Sequence, residues 1–133
     1  MFSIKPKWAR MIATGEKSYE LRRRPPPASA IGKVALIYST APDSKVMCTC
    51  HVSEIVVRPK DALWDDIGSR TGCLESEYMA YFAGLDYASA IRLSLIEKVF
   101  PPISRRELEM TYDFKPPQSW RWADSLKALI GTS

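Results

Sequence analysis

Histidine is almost missing from this sequence: His51 is its single copy among 133 residues. A nucleophile–imidazole–carboxylate triad needs that ring beside an acidic partner, and His51 sits mid-strand with none in evident reach. Cysteine is scarce as well. Cys48, Cys50 and Cys73 make an odd count, and the first two, pointing to one face of a strand, lack disulfide geometry. A zinc site would need Cys48, Cys50 and His51 to converge from almost adjacent extended positions, unlike the usual ligand spacings. The expectation is therefore reduced thiols, no metal and no cofactor. The phosphate-cradling P-loop and the dinucleotide fingerprint are both missing. So is any charged start followed by an apolar run, and charges or prolines interrupt every stretch that approaches membrane-spanning length. The sequence thus predicts a cytoplasmic protein with no membrane partner.

What is present is a 46% apolar chain, enough for one core and too short for two ordinary domains. Residues 1–133 are expected to form a single domain. The net charge of +4 is modest, but Arg22, Arg23 and Arg24 are consecutive and Arg105 adjoins Arg106, so positive charge is locally concentrated. Such patches suit anionic partners, although a solvated surface is the commoner use of them.

The first residues read as a short strand. Pro6 suits a first helical turn, where its missing N–H had no partner anyway, and Gly15 supplies a left-handed stop, which predicts a helix over 6–14. A strand over 17–22 follows, with Ser18, Glu20 and Arg22 on one face and Lys17, Tyr19 and Leu21 on the other. Three successive prolines then force the chain over 23–30 out of the sheet. A near-continuous apolar strand begins after Gly32, and a long strand runs from 45 to about 57. Pro59 opens a helix with Leu63, Trp64 and Ile67; a second helix over 75–83 stops at Gly84. Alternation over 87–99 predicts another strand, ended by Pro101 and Pro102, and a short helix spans 104–109. The tail carries Trp120, Trp122 and a weakly amphipathic stretch with Leu126, Leu129 and Ile130. Strands interrupted by short helices, without regular alternation, predict an α+β fold: a mixed β-barrel of about five strands with short flanking helices.

The order SIKPKW, a short helix ending in TGEKSYELRRR, then GKVALIYST, resembles the ASCH domain, a branch of the PUA-like superfamily. The likeness continues through Leu63–Trp64, EYMAYFAG, YASAIRLSL and PPQSWRW, and so covers almost the whole chain. It implies a PUA-like barrel with a cleft beside the first helix and an association with RNA. The family's signature position, a helix-ending glycine followed by a charged residue and lysine, reads Gly15, Glu16, Lys17 here. One family branch hydrolyses acetylated cytidine with a lysine, a threonine and a glutamate. Lys17 matches that lysine, Glu20 replaces the threonine, and the glutamate has no secure match.

The candidate site follows from both lines. Lys5, at a strand-to-helix junction, and Lys17, Glu20 and Arg22 are expected to line one depression, although strand alternation sets Lys17 opposite Glu20 unless a bulge intervenes. Lys17 and Glu20 are the candidate catalytic pair. Glu20 keeps Lys17 charged, which favours holding a phosphate, carbonyl or oxyanion over acting as a base. A surface ion pair is the bland alternative. Arg23 and Arg24, on a proline-stiffened loop, are candidates for phosphate. Trp8, Tyr38, Tyr81, Trp120 and Trp122 are the aromatics available for base stacking, with Trp8 and Trp64 assigned to the core. Ser39, at a strand end, and Gln118 and Ser119, in the tail, are candidates for reading a base edge. The favoured reading is binding of RNA, a nucleotide or a nucleoside. One alternative is a hydrolase in the same cleft, either a modified-nucleoside amidohydrolase or a metal-independent ribonuclease. The other is a protein-interaction module with a vestigial cleft.

Overall fold

Pro6 at the first position and Gly15 in the left-handed region (φ 84°) bracket the first helix as expected, because proline starts a helix without losing a bond and glycine ends one without steric penalty. The computed structural model describes residues 1–129; Ile130, read as part of the amphipathic tail, lies outside them. In chain order the elements are β1 (Phe2–Ile4), α1 (Pro6–Thr14), β2 (Tyr19–Arg22), β3 (Val34–Ser39), β4 (Lys45–Pro59), α2 (Lys60–Ile67), α3 (Glu75–Tyr81), β5 (Tyr87–Ser104) and α4 (Arg105–Tyr112). The fold is α+β, as the sequence predicts.

The five strands form one sheet in the order β1-β3-β4-β5-β2. β1 runs parallel to β3, and the remaining pairs are antiparallel. The margin strands β1 and β2 are separated by three others, yet the Arg22 side chain of β2 reaches the Ser3 carbonyl of β1. The sheet therefore curls almost into a barrel and leaves a seam where no backbone ladder joins its margins. The tail returns to β1: Ser3 N–H donates to Ser119 O (2.8 Å), Arg121 N–H to Met1 O (3.1 Å), and Phe2 bridges Trp120 antiparallel.

Strand alternation divides the interior. Ala35 and Ile37 of β3 join Phe2, Ile4, Ile12, Cys48, Cys50 and Ile91 in one cluster under α1, while Leu36 and Tyr38 turn to Val46, Ile103, Leu108 and Phe114. A third cluster packs α2 and α3 on the sheet through Leu63, Ile67, Tyr78 and Phe82. Trp64 lies on Tyr78, ring centres 4.9 Å apart, in the range of stabilising aromatic pairs.

Two expectations about strand ends are corrected. β5 does not stop at Pro101 but continues to Ser104. Its pairing with β4 jumps from Cys48↔Lys98 to Val46↔Ile103, so the prolines fall in a bulge where no ladder donor is required. β2 begins at Tyr19, not Lys17. Lys17 and Ser18 spend their backbone N–H groups on Met11 O and Arg70 O, which takes Lys17 out of the strand's alternation.

Candidate functional site

The seam between β1 and β2 opens into a cavity of about 480 Å³. Its floor and walls come from Ser3 to Lys5, from Trp8 on α1, from Lys17, Glu20, Leu21 and Arg22, and from Cys73, Glu77 and Tyr81 at α3. Glu20 and Arg22 point into it because they share the β2 face opposite Tyr19 and Leu21, which are packed in the core. Lys17 joins them from the connection after Gly15. That left-handed glycine turns the chain back so that the lysine passes under Trp8, its Nζ 5.4 Å from the ring centre.

These three charged groups form a row, buried at Lys17 and Glu20 and half-buried at Arg22. Lys17 is 1% exposed and Glu20 7%. Lys17 Nζ stands 3.7 Å from Glu20 Oε1, and Arg22 Nη2 stands 3.5 Å from Glu20 Oε2. Lys17 also donates to the carbonyl of Thr71 at 2.7 Å. Arg22 donates through Nη1 to Ser119 Oγ at 2.8 Å and lies over the Phe2 ring. Its Nε is buried with no hydrogen-bond partner. Burial lowers the Lys17 pKa, with Arg22 adding to the effect, against opposite pulls from Glu20 and Cys73. A buried ammonium beside a carboxylate and a guanidinium is expensive to assemble, and such perturbed groups in a cleft mark it as the candidate site.

Of the residues singled out in the sequence, Lys5, Lys17, Glu20 and Arg22 all line this cavity. Ser119 touches it through Arg22. The conflict between strand alternation and a shared hollow for Lys17 and Glu20 is resolved by the late start of β2. Others are elsewhere. Tyr38 is 3% exposed inside the cluster with Val46 and Leu108, because β3 is flanked on both sides by strands and its second face is packed. Ser39 is fully buried and donates to Asp43 Oδ2 at 2.8 Å, a turn-holding bond. Arg23 donates to the carbonyls of Tyr81 (2.7 Å) and Ala83 (3.1 Å), so its guanidinium closes the C-terminal end of α3. Arg24 and Gln118 are exposed outside the cavity lining. Trp120 packs on Phe2 and stands edge-to-face with Trp122, lining a second hollow of about 360 Å³.

Two contributors went unread, and a third was weighed for stacking but placed in the core. Trp8, assigned to the core by its helical spacing, is half-buried and faces the cavity; periodicity marks an inward face without saying whether core or cleft lies there. Cys73 and Glu77 arrive from a segment more than fifty residues distant, and only the fold brings them in. Glu77 accepts from Leu74 N–H at 2.9 Å and pairs with Lys7 at 3.6 Å. Cys73 is half-buried, and burial raises its pKa. Among the described residues no helix is long and apolar enough to cross a membrane.

Comparison with known proteins agrees with this fold. A curated relative, an ASCH domain-containing ribonuclease of Zymomonas mobilis, is 31% identical over 122 residues, covering 92% of this chain and 82% of the relative. The crystal structure of ASCH from Zymomonas mobilis superposes with a TM-score of 0.86 at 31% identity, over 97% of this chain and 91% of that one. A tyrosine-to-phenylalanine variant of the Zymomonas mobilis protein matches with a TM-score of 0.85 at 30% identity, covering 97% and 94%. The family model for the ASCH domain matches residues 2–97, the stretch that builds most of the curled sheet and every charged group of the seam, and the chain belongs to the ASCH domain family.

Proposed function

We propose that this protein binds RNA by taking one unpaired nucleotide into the seam between β1 and β2. The observation that carries this reading is the row Lys17–Glu20–Arg22 lining an open cavity, with Lys17 and Glu20 buried. Its volume of about 480 Å³ lies in the range of small-ligand sites. Trp8 and Tyr81 stand beside the ring, Lys5 meets phosphate at the mouth, and Arg24 extends the basic path along the loop. Residues 1–133 act as one domain in this reading, supported by a sheet that runs from β1 to β5 and a tail that returns to β1.

Fluorescence anisotropy with a labelled single-stranded oligoribonucleotide at stepped salt tests it. Affinity falls linearly on logarithmic axes as salt rises, and Lys17→Ala weakens binding by at least about tenfold, roughly 1.4 kcal/mol. Weak binding that ignores both salt and Lys17→Ala instead supports a protein-interaction module.

A second reading, cleavage of the bound RNA, is favoured by the ribonuclease name of the Zymomonas mobilis relative and by the burial that lowers the Lys17 pKa toward the range of a proton acceptor. Lys17 and Glu20 are the seam groups suited to proton transfer. Incubation of single-stranded RNA with excess chelator, beside acetylated cytidine, separates the chemistries. RNA fragments lost in Lys17→Ala mark a ribonuclease. Release of acetate marks an amidohydrolase, and neither leaves the binding reading alone.

A further inference from the structure

The seam presents its hydrogen-bonding groups in a fixed order, with the Glu20 carboxylate between the Lys17 ammonium and the Arg22 guanidinium. What each has left to offer can be counted. The ammonium has three N–H groups, and Thr71 O takes one at 2.7 Å. Its approach to Glu20, at 3.7 Å, is longer than a hydrogen bond of roughly 2.7–3.2 Å, so both the ammonium and Oε1 keep capacity. Arg22 places Nη1 on Ser119 Oγ at 2.8 Å, whereas Nη2 stands 3.4 Å from the Ser3 carbonyl and 3.5 Å from Glu20, beyond that same range, so Nη2 keeps donor capacity as well. The buried Nε is shut off from the cavity and takes no part. The unfilled row reads donor, acceptor, donor.

Hydrogen-bonding capacity decides which part of a nucleotide meets that row. The central carboxylate can only accept, so a phosphate oxygen leaves it unpaired, while a neutral ring carrying its own N–H satisfies it. The matching edge is acceptor, donor, acceptor. Among the four RNA bases, only uracil has it along its pairing edge: a carbonyl, an imide N–H and a second carbonyl. Cytosine presents donor, acceptor, acceptor; guanine presents acceptor, donor, donor; adenine sets a donor beside an acceptor.

We propose that the seam selects uridine, with Lys17 and Arg22 donating to the two carbonyls and Glu20 accepting from the imide N–H. The selection rests on the binding reading above and names its base. Cytidine sets its amino group against a buried cation and its ring acceptor against the Glu20 carboxylate, leaving both sides without partners.

Calorimetry with the four ribonucleoside monophosphates, and with 3-methyluridine monophosphate in which the imide N–H is blocked, tests the assignment on the unaltered protein. Uridine monophosphate binds at least about tenfold tighter than the cytidine form, as expected for mismatched buried polar groups. The 3-methyl compound loses the same advantage. Glu20→Gln, whose amide both donates and accepts, narrows the uridine preference to less than about threefold. Equal binding of all four monophosphates, or undiminished binding of the 3-methyl compound, overturns uridine selection while leaving RNA binding intact. Failure of monophosphates and of single-stranded oligouridylate alike overturns both.

Discussion

Truncating Glu20 to alanine isolates the energetics of the seam. The substitution removes the carboxylate that stands 3.7 Å from Lys17 and 3.5 Å from Arg22. It leaves an ammonium 1% exposed with the Thr71 carbonyl as its remaining polar contact, and a guanidinium whose Nε already lacks a partner. Breaking a buried pair from one side costs about 3–5 kcal/mol, a large share of the roughly 5–15 kcal/mol that holds a domain folded. The effect carries a pH signature. Folded Lys17 binds its proton less readily than the unfolded residue, whose ordinary value is 10.5. Unfolding therefore takes up a proton between those two values, and stability rises with pH across that window. Glu20 is a group that holds the Lys17 pKa up, so its removal lowers the folded value and extends the window toward neutrality. Urea unfolding of both proteins near neutrality and at about pH 10 gives the comparison, with the deficit of Glu20→Ala largest near neutrality and shrinking as pH rises. A deficit below about 1 kcal/mol, the size of an exposed pair, or one independent of pH, would falsify the claim that the row is dry and coupled.

Cys73 is the thiol open to the cavity, and burial holds its pKa above the ordinary value. Alkylation followed by mass spectrometry will show slow labelling at neutral pH, faster labelling as pH rises, and protection by bound nucleotide. Cys48 and Cys50, pushed up to about 11 and about 12 by burial, will label only after unfolding. A Cβ at Gly68 falls 2.7 Å from the Trp64 ring, so Gly68→Ala forces apart the contact between the end of α2 and its own indole. Thermal or urea denaturation should register about 1–3 kcal/mol lost. Arg23→Ala removes two bonds to the end of α3; the expected loss is about 0.3–1 kcal/mol of stability, while the salt slope of RNA binding stays unchanged. A reduced slope would restore Arg23 to the phosphate path.

The elements that depend on local chemistry were legible in the sequence. Pro6 and Gly15 delimit α1, a near-continuous apolar run gives β3, the turn after it opens β4, and alternation gives most of β5. The proline pair misled because a proline's effect on a strand depends on whether its neighbour needs a donor, and the bulge beside Cys48 is a property of pairing rather than of either strand. In the site, Glu20 and Arg22 followed from period-two reasoning, and Lys17 from its place after the glycine. Tyr38 and Ser39 were misplaced because a strand's end becomes a cleft rim only at a margin of the sheet. The order of five strands, which puts β3 inside and β2 outside, is set by contacts distant in sequence. Cys73 and Glu77 were invisible for the same reason.

The returning tail adds a last consequence. Its backbone runs beside β1 through Ser119 and Arg121, and Ser119 lends its hydroxyl to Arg22, yet this strap lies beyond residues 2–97 that match the family. One jaw of the mouth thus comes from the far end of the chain and closes onto its first strand. Mouth and scaffold are therefore finished together: until the last part of the chain has folded back, Arg22 lacks its hydroxyl partner and β1 one of its backbone neighbours.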